Sequence, residues 1–114
     1  MIRLEPTVLI RVAVRENARL GSAPLYEAIA RRAHEAGLLG AAAFRGIMGF
    51  GPTAAVQSAK LLEAAGDMPV VIELLAAPDQ ADPFVAEVLR MEPTAIVTTE
   101  IVRLVRFSPT GDAG

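Results

Sequence analysis

Four stretches of the chain alternate apolar and polar side chains with a period of two, which is typical of β-strands with one buried face. The pattern predicts strands over residues 8–14, 41–48, 68–75 and 97–107. Within the second strand we expect Phe44 and Met48 on one face of the sheet, and Arg45 and Ile47 on the other.

Two further stretches repeat apolar residues every three to four positions, the spacing of amphipathic helices. The first helix is expected to open at Pro24, where a missing N–H costs no hydrogen bond, and to end before Gly37, which can adopt a left-handed cap. The second is expected to open with Asp82 as its N-cap and Pro83 in its first turn. The apolar stripes are Leu25, Ala28, Ile29, Ala33 and Ala36 in the first helix and Phe84, Val88 and Met91 in the second.

Residues 53–65 allow two interpretations. Their alanine content and the spacing of their larger apolar residues favour a helix, while a mobile loop is the competing interpretation. A helix would allow the second and third strands to be parallel, whereas an excursion would make them an antiparallel pair. Periodicity does not decide between the two. At the chain ends, we expect residues 1–7 to be loose and 108–114 to be a disordered tail.

The order of strand, helix, strand, strand, helix, strand predicts an α+β fold of the ferredoxin-like βαββαβ type. We place this one domain over residues 8–107. Two helices can cover only one face of a four-stranded sheet, so the second face should be polar in a monomer.

The second face is instead expected to be largely apolar. Its predicted apolar members are Leu9, Ala13, Ile47, Val71 and Leu75. They are interrupted by Arg11, Arg45, Glu73 and an arginine of the last strand, so the face is too apolar for water and too charged for a dry core. This pattern predicts an obligate homo-oligomer in which Glu73 is available to pair with arginines. The alternative is an ordinary open sheet with scattered apolar residues.

Composition and charge narrow the function classes. The net charge of −2 and the 4% of aromatic residues provide neither the positive surface nor the stacking platform of a nucleic-acid-binding protein. The apolar runs are too short to cross a bilayer, and we expect neither membrane insertion nor a secretory leader. The absence of cysteine excludes disulfides and thiolate metal sites, and it fits a cytoplasmic location.

Residues that carry catalytic chemistry are few and dispersed. His34 is the only histidine, and we expect it on the polar surface of the first helix. No two carboxylates have a spacing that suggests an acid–base pair, and no serine has the glycine flanks of a nucleophile elbow. The sequence therefore predicts neither an enzyme nor a metal site.

The sequence FRGIMGFGP, residues 44–52, is the candidate ligand edge, because it places three glycines within six positions after a strand. Glycine lets another backbone or a ligand come close, and free N–H groups in such a turn can line an anion-binding concavity. The spacing matches neither a Walker A loop nor a dinucleotide fingerprint. A tight turn that merely ends the strand is the alternative. Lys60 follows nine residues after Gly51 and either reaches an anion or lies in solvent.

The segments PLYEAIARRAHEAGLLGAAAFRGIMGFG, DMPVVIEL and TTEIVRLVRF resemble, in this order, the bacterial PII-like family known as domain of unknown function 190. The resemblance covers roughly residues 8–107. It implies a ferredoxin-like protomer with a four-stranded antiparallel sheet, assembled as a homotrimer whose sheets face the threefold axis. It also implies that residues 52–66 form an excursion that PII-type proteins use as a signalling loop, here offered to a protein partner.

The function that the resemblance implies is that of a non-enzymatic regulatory or sensor protein. In PII-like proteins, small effectors, often adenine nucleotides, bind in clefts between neighbouring subunits at the base of that loop. The implied ligand-binding residues here are Arg45, Gly46, Gly49, Phe50, Gly51 and Lys60. The chain departs from PII proteins in the turn that supplies phosphate contacts, since residues 92–95 are Glu-Pro-Thr-Ala and lack glycine. A ligand-free oligomeric interaction module and a small ferredoxin-like enzyme are the alternative functions.

Overall fold

Six strands and two helices form in the part of the chain that the computed structural model describes, residues 1–46 and 68–109. In chain order they are β1 (Ile2–Arg15), β2 (Arg19–Leu20), β3 (Ala23–Pro24), α1 (Leu25–Glu35), β4 (Gly40–Arg45), β5 (Pro69–Ala76), α2 (Pro78–Met91) and β6 (Ile96–Phe107). The four predicted strands and both predicted helices are present, and β2 and β3 add a short hairpin before α1.

The four long strands form one sheet in the order β4-β5-β1-β6, and every neighbouring pair is antiparallel. At its centre, Val12 of β1 lies between Ile72 of β5 and Val97 of β6. This is the predicted ferredoxin-like βαββαβ arrangement. The antiparallel pairing of β4 with β5 removes the parallel alternative, although residues 53–65 themselves lie outside the described part of the chain.

The core lies between one face of the sheet and the two helices. Strict alternation along β5 buries every second side chain against them, as the period-two pattern predicts. The buried set comprises Ile10, Val12, Val14, Leu25, Ile29, Ala33, Val70, Ile72, Leu74, Ala76, Ala81, Phe84 and Val88. Burial of each larger side chain contributes about 1.5–3 kcal/mol to folding. The opposite face of the sheet, called the open face below, has no described element packed over it.

Both ends of α1 follow from the sequence. Pro24 is the N-cap residue, one position before the first turn in which it was expected. At the other end Gly37 has a φ of +76°, as predicted. The Gly37 N–H donates to the His34 carbonyl at 3.1 Å, and the Leu38 N–H donates to the Ala33 carbonyl at 3.0 Å. These two bonds form a Schellman motif, which satisfies carbonyls that the last helical turn leaves without donors.

We expect Gly37→Ala to lower the free energy of unfolding by about 1–2 kcal/mol, because a Cβ is strained in the left-handed region. Gly40→Ala is the matched control, since a Cβ at Gly40 would meet nothing within 4 Å and its φ is not left-handed. Urea denaturation followed by circular dichroism measures both. Equal losses in the two variants would show that the left-handed cap contributes nothing to stability.

The helix α2 begins one turn earlier than predicted. It starts at Pro78, so the expected N-cap at Asp82 is wrong and Pro83 lies inside the helix. Gln80 caps the true start, because its N–H donates to the Ala77 carbonyl at 2.9 Å and its Oε1 accepts from the Ala77 N–H at 3.0 Å. Pro78 and Pro83 are each suited to the first turn of a helix, so the sequence left the start of α2 ambiguous. The reciprocal hydrogen bonds between Gln80 and Ala77 place the start at Pro78.

The prediction of a loose N-terminus over residues 1–7 is wrong. β1 begins at Ile2, and its first half pairs with the second half of β6, from Ile2 opposite Phe107 to Thr7 opposite Val102. The Ser108 N–H donates to the Met1 carbonyl at 2.9 Å, and so Ser108 continues this ribbon. The predicted disordered tail therefore does not begin at 108, and residues 110–114 lie outside the described part.

We call this two-stranded ribbon, residues 2–7 and 102–107, the arm. One of its faces carries an ion network in which Glu5 pairs with Arg3 at 2.6 Å and with Arg106 at 3.0 Å. The hydrogen bond from Arg106 and the charges of both arginines lower the pKa of Glu5. Proline and charged residues in the first segment concealed the strand pattern there, which explains the error at the N-terminus.

The face assignment of β4 is also corrected by the register. Arg45 lies opposite Val70, on the face that carries the helices, whereas Phe44 lies opposite Val71 on the open face. The sequence analysis placed Arg45 on the open face. A shift of one residue in register exchanges the two faces, and in this exposed edge strand no burial contrast marks the correct one.

Candidate functional site

Two backbone hydrogen bonds join the start of β5 and the residue before it to the ends of β4 and β1. The Gly46 N–H donates to the Pro69 carbonyl at 2.6 Å, and the Glu16 N–H donates to the Met68 carbonyl at 2.8 Å. The end of β4, the start of β5 and the residue after β1 therefore meet at one end of the sheet. The chain leaves this end after Gly46 and returns to it at Met68, which is buried.

Gly46 is required by the close approach of the two strands. A Cβ on Gly46 would lie 2.8 Å from the Cγ atom of Pro69 and 3.3 Å from the Pro69 carbonyl oxygen. The first of these contacts is shorter than a Cβ atom tolerates, so Pro69 or the backbone at residue 46 would have to move. The first glycine of the candidate ligand edge thus has a structural reason, namely the joining of β4 to β5.

Arg45 lies beside this junction, and its Nε atom donates to Oε2 of Glu16 in an ion pair. The Arg45 side chain is 52% exposed and that of Glu16 is 25% exposed. Sequence analysis proposed Arg45 as a ligand residue but did not identify Glu16. Nothing in the sequence marks this glutamate as a site residue, because its partner Arg45 lies 29 residues away along the chain.

A shallow cavity of about 120 Å³ opens beside the ion pair. It is lined by Glu16, Tyr26, Ala43, Phe44, Arg45 and Val70. Pockets that enclose small ligands measure about 300–1,000 Å³, so the described residues form only part of such a pocket here. Its chemistry is nevertheless mixed in the way that ligand sites require, with aromatic and aliphatic walls beside one cation and one anion.

Four of the six predicted ligand residues cannot be located in the structure. Gly49, Phe50, Gly51 and Lys60 lie outside the described residues, as does the predicted excursion over 52–66. Arg45 and Gly46 are the two that are described, and they are adjacent at the end of β4.

A second charged group lies on the open face. Arg11 donates through Nη1 to Oε1 of Glu100 at 2.7 Å and through Nε to Oε2 of Glu73 at 3.0 Å. These bonds, that to Glu100 first, raise the pKa of the Arg11 guanidinium. Glu73 was expected to be available for arginines of an oligomer, and in one chain it already has an arginine partner.

The turn before β6 contains a carboxylate that binds its own backbone. Oε1 of Glu92 accepts hydrogen bonds from the Thr94 hydroxyl and from the Thr94 N–H, the latter at 3.2 Å. Both bonds lower the pKa of Glu92. The amide that this turn could offer to an anion is therefore occupied by the protein's own carboxylate.

The described residues contain no cluster of three or more His, Asp or Glu side chains that could hold a metal ion. His34 lies exposed on α1, as predicted. Among the helices in the described ranges, none is long and apolar enough to cross a membrane.

The sequence of this chain is similar to known proteins over most of its length. A model of the family DUF190, described as uncharacterized ACR, matches residues 7–104. A UPF0166 protein of Aquifex aeolicus (strain VF5) is 29% identical over 104 residues, which is 91% of this chain and 98% of that protein.

Solved structures that superpose on this chain include PII-like proteins. The apo form of CPII from Thiomonas intermedia K12, a nitrogen regulatory PII-like protein, superposes with a TM-score of 0.64 and 14% identity, covering 93% of this chain and 99% of CPII. CPII bound to ADP, AMP and acetate gives 0.61 at 14% identity, covering 90% and 91% of the two chains. A putative PII-like signaling protein from Thermus thermophilus gives 0.54 at 13% identity with the same coverage. At these identities the likeness establishes a PII-like fold.

Proposed function

This chain belongs to the DUF190 family, and from that premise we propose that it is a PII-like regulatory protein whose homotrimer binds a small anionic effector between subunits. An adenine nucleotide is the effector we propose, since CPII, which has the same fold, has been solved with ADP and AMP. The predicted PII-like family and ferredoxin-like fold are confirmed, while the trimer and its effector are proposals.

The observation that carries the proposal is the meeting of Arg45 and Gly46 with the start of β5. There a guanidinium that is half exposed lies beside an aromatic and aliphatic cavity, at the point where residues 47–67 leave and return. A guanidinium binds phosphate or carboxylate oxygens through charge-assisted hydrogen bonds. Gly49, Phe50, Gly51 and Lys60 are proposed to complete the anion site.

The small size of the cavity supports a site shared between subunits. The described residues enclose about 120 Å³, too little for a nucleotide, and we propose that a second copy of the chain supplies further walls. The two outer strands, β4 and β6, each present an unpaired edge within the described sheet. Because Arg45 and the turn before β6 lie at the same end of the sheet, a neighbour that approaches this end would bring the two together.

We propose that the protein regulates a partner and does not catalyse a reaction. Effector binding would order residues 52–66 and change the surface that a protein partner contacts, which is a common way to convert binding into a signal. We propose a cytoplasmic location for this role.

We expect at least one of ATP, ADP, AMP and cyclic AMP to bind the wild-type protein in calorimetric titrations. Arg45→Gln should weaken that binding about tenfold or more, because a hydrogen bond to a charged group contributes roughly 1.5–3 kcal/mol. Arg32→Gln is the matched control, since Arg32 likewise pairs with a carboxylate, Glu87, but on the helical layer. Unchanged affinity in Arg45→Gln would remove Arg45 from the site.

A ligand-free interaction module is the second candidate function. It is favoured by the two carboxylates, Glu16 and Glu92, which occupy the donors that an anion would need. A trimeric protein that gives no heat with any of the four nucleotides would support this candidate over the first.

A further inference from the structure

We propose that Glu16 is a built-in competitor that occupies Arg45 until an effector's anionic group displaces it. The inference rests on the proposed function, because it concerns the affinity of the same site. It starts from the ion pair between Arg45 Nε and Glu16 Oε2, the two ionic groups that line the cavity.

The Glu16 side chain is less accessible to solvent than that of Arg45. The Glu16 N–H is bound to the Met68 carbonyl at 2.8 Å, and only a quarter of the Glu16 side chain is exposed. Arg45 is on an edge strand, and half of its side chain is exposed. An incoming anion can therefore reach the guanidinium from solvent and replace the carboxylate of Glu16 as its partner.

The charges that line the cavity show why Glu16 affects the binding of an anion. The other described lining residues, Tyr26, Ala43, Phe44 and Val70, are aromatic or aliphatic. The lining therefore has one positive and one negative group and attracts anions only weakly overall. Any phosphate that binds Arg45 must compensate for the lost contact with Glu16, so Glu16 raises the effector concentration that the protein needs.

The size of the effect is limited by the exposure of the pair. Exposed ion pairs contribute about 0.2–1 kcal/mol, which corresponds to at most about a fivefold change in affinity. Glu16→Gln keeps the shape of the side chain and removes its charge. We therefore expect this variant to bind ADP and AMP about two- to fivefold more tightly than the wild type.

Calorimetric titration of ADP, AMP and adenosine into the full-length protein tests the inference. Glu87→Gln is the matched control, because Glu87 pairs with Arg32 and its side chain is equally 25% exposed, but it lies on α2 outside the cavity. It should bind ADP and AMP like the wild type. Adenosine has no anionic group, so its binding should not improve in Glu16→Gln. In an Arg45→Gln background, Glu16→Gln should no longer tighten the binding of ADP.

The possible failures can be told apart. Wild-type binding of ADP with equal or weaker binding by Glu16→Gln would overturn the inference and make Glu16 a residue that positions Arg45, while the proposed function would stand. Absence of binding in both proteins would overturn the proposed function and the inference with it. Binding by Glu16→Gln alone would support both.

Discussion

Replacing Leu75 with aspartate is expected to separate the protein into single chains of 12.0 kDa. Leu75 is half-buried on the open face, where it lies opposite Leu9 of β1 and Gly40 of β4. In the proposed trimer this face packs against its copies. A carboxylate buried there without a partner would cost several kcal/mol, which is enough to weaken the association by orders of magnitude.

Light scattering after size exclusion measures the mass of this variant against that of the wild type, which we expect to be three times 12.0 kDa. Leu89→Asp is the matched control, since Leu89 is an exposed leucine on α2 and should leave the mass unchanged. Circular dichroism checks that both variants fold. A wild type that stays folded as a monomer when dilute would contradict the proposed trimer, and a trimeric Leu75→Asp would show that another surface forms it.

The charges on the open face are compatible with its burial in a trimer. Arg11 pairs with Glu73 and Glu100 in the same chain, so a copy that packs over these groups need not supply a counter-ion. Burial of paired groups costs far less than burial of an isolated charge. The sequence analysis identified the mixture of apolar and charged positions on this face and inferred an oligomer from it.

Regular periodicity explains why most of the fold could be predicted from the sequence. In β5 and in α1, the buried side chains are apolar and recur at the spacing of a strand or a helix. The predicted and observed bounds of these elements therefore agree within a residue or two. The N-terminal half of β1 does not show this pattern of burial. There the apolar side chains of Ile2 and Leu4 are exposed, while the charged side chains of Arg3 and Glu5 are half-buried, so burial does not follow residue type.

The candidate site was less predictable than the fold because its contacts join distant parts of the chain. Arg45 was found through its place before a glycine-rich stretch, but Glu16 became visible only when β1 and β4 were brought to the same end of the sheet. Tyr26 lines the cavity for the same reason. Single-sequence periodicity indicates which face a residue occupies, and it contains no information on which ends of which strands meet.

The largest loss of stability from a single truncation should come from the centre of the sheet, where Ile72→Ala is expected to lower the free energy of unfolding by about 2–5 kcal/mol. Ile72 is completely buried on β5 and lies opposite Val12 of β1 and Ala43 of β4. Removal of its three outer carbons loses apolar burial and leaves a cavity that the neighbouring strands cannot close.

Ile101→Ala is the matched control, because Ile101 is 81% exposed on β6, and it should cost less than about 1 kcal/mol. Urea denaturation at one protein concentration measures both variants. A loss at Ile101 as large as that at Ile72 would show that a neighbouring copy covers this side chain in the assembled protein. A negligible loss at Ile72 would contradict the core described here.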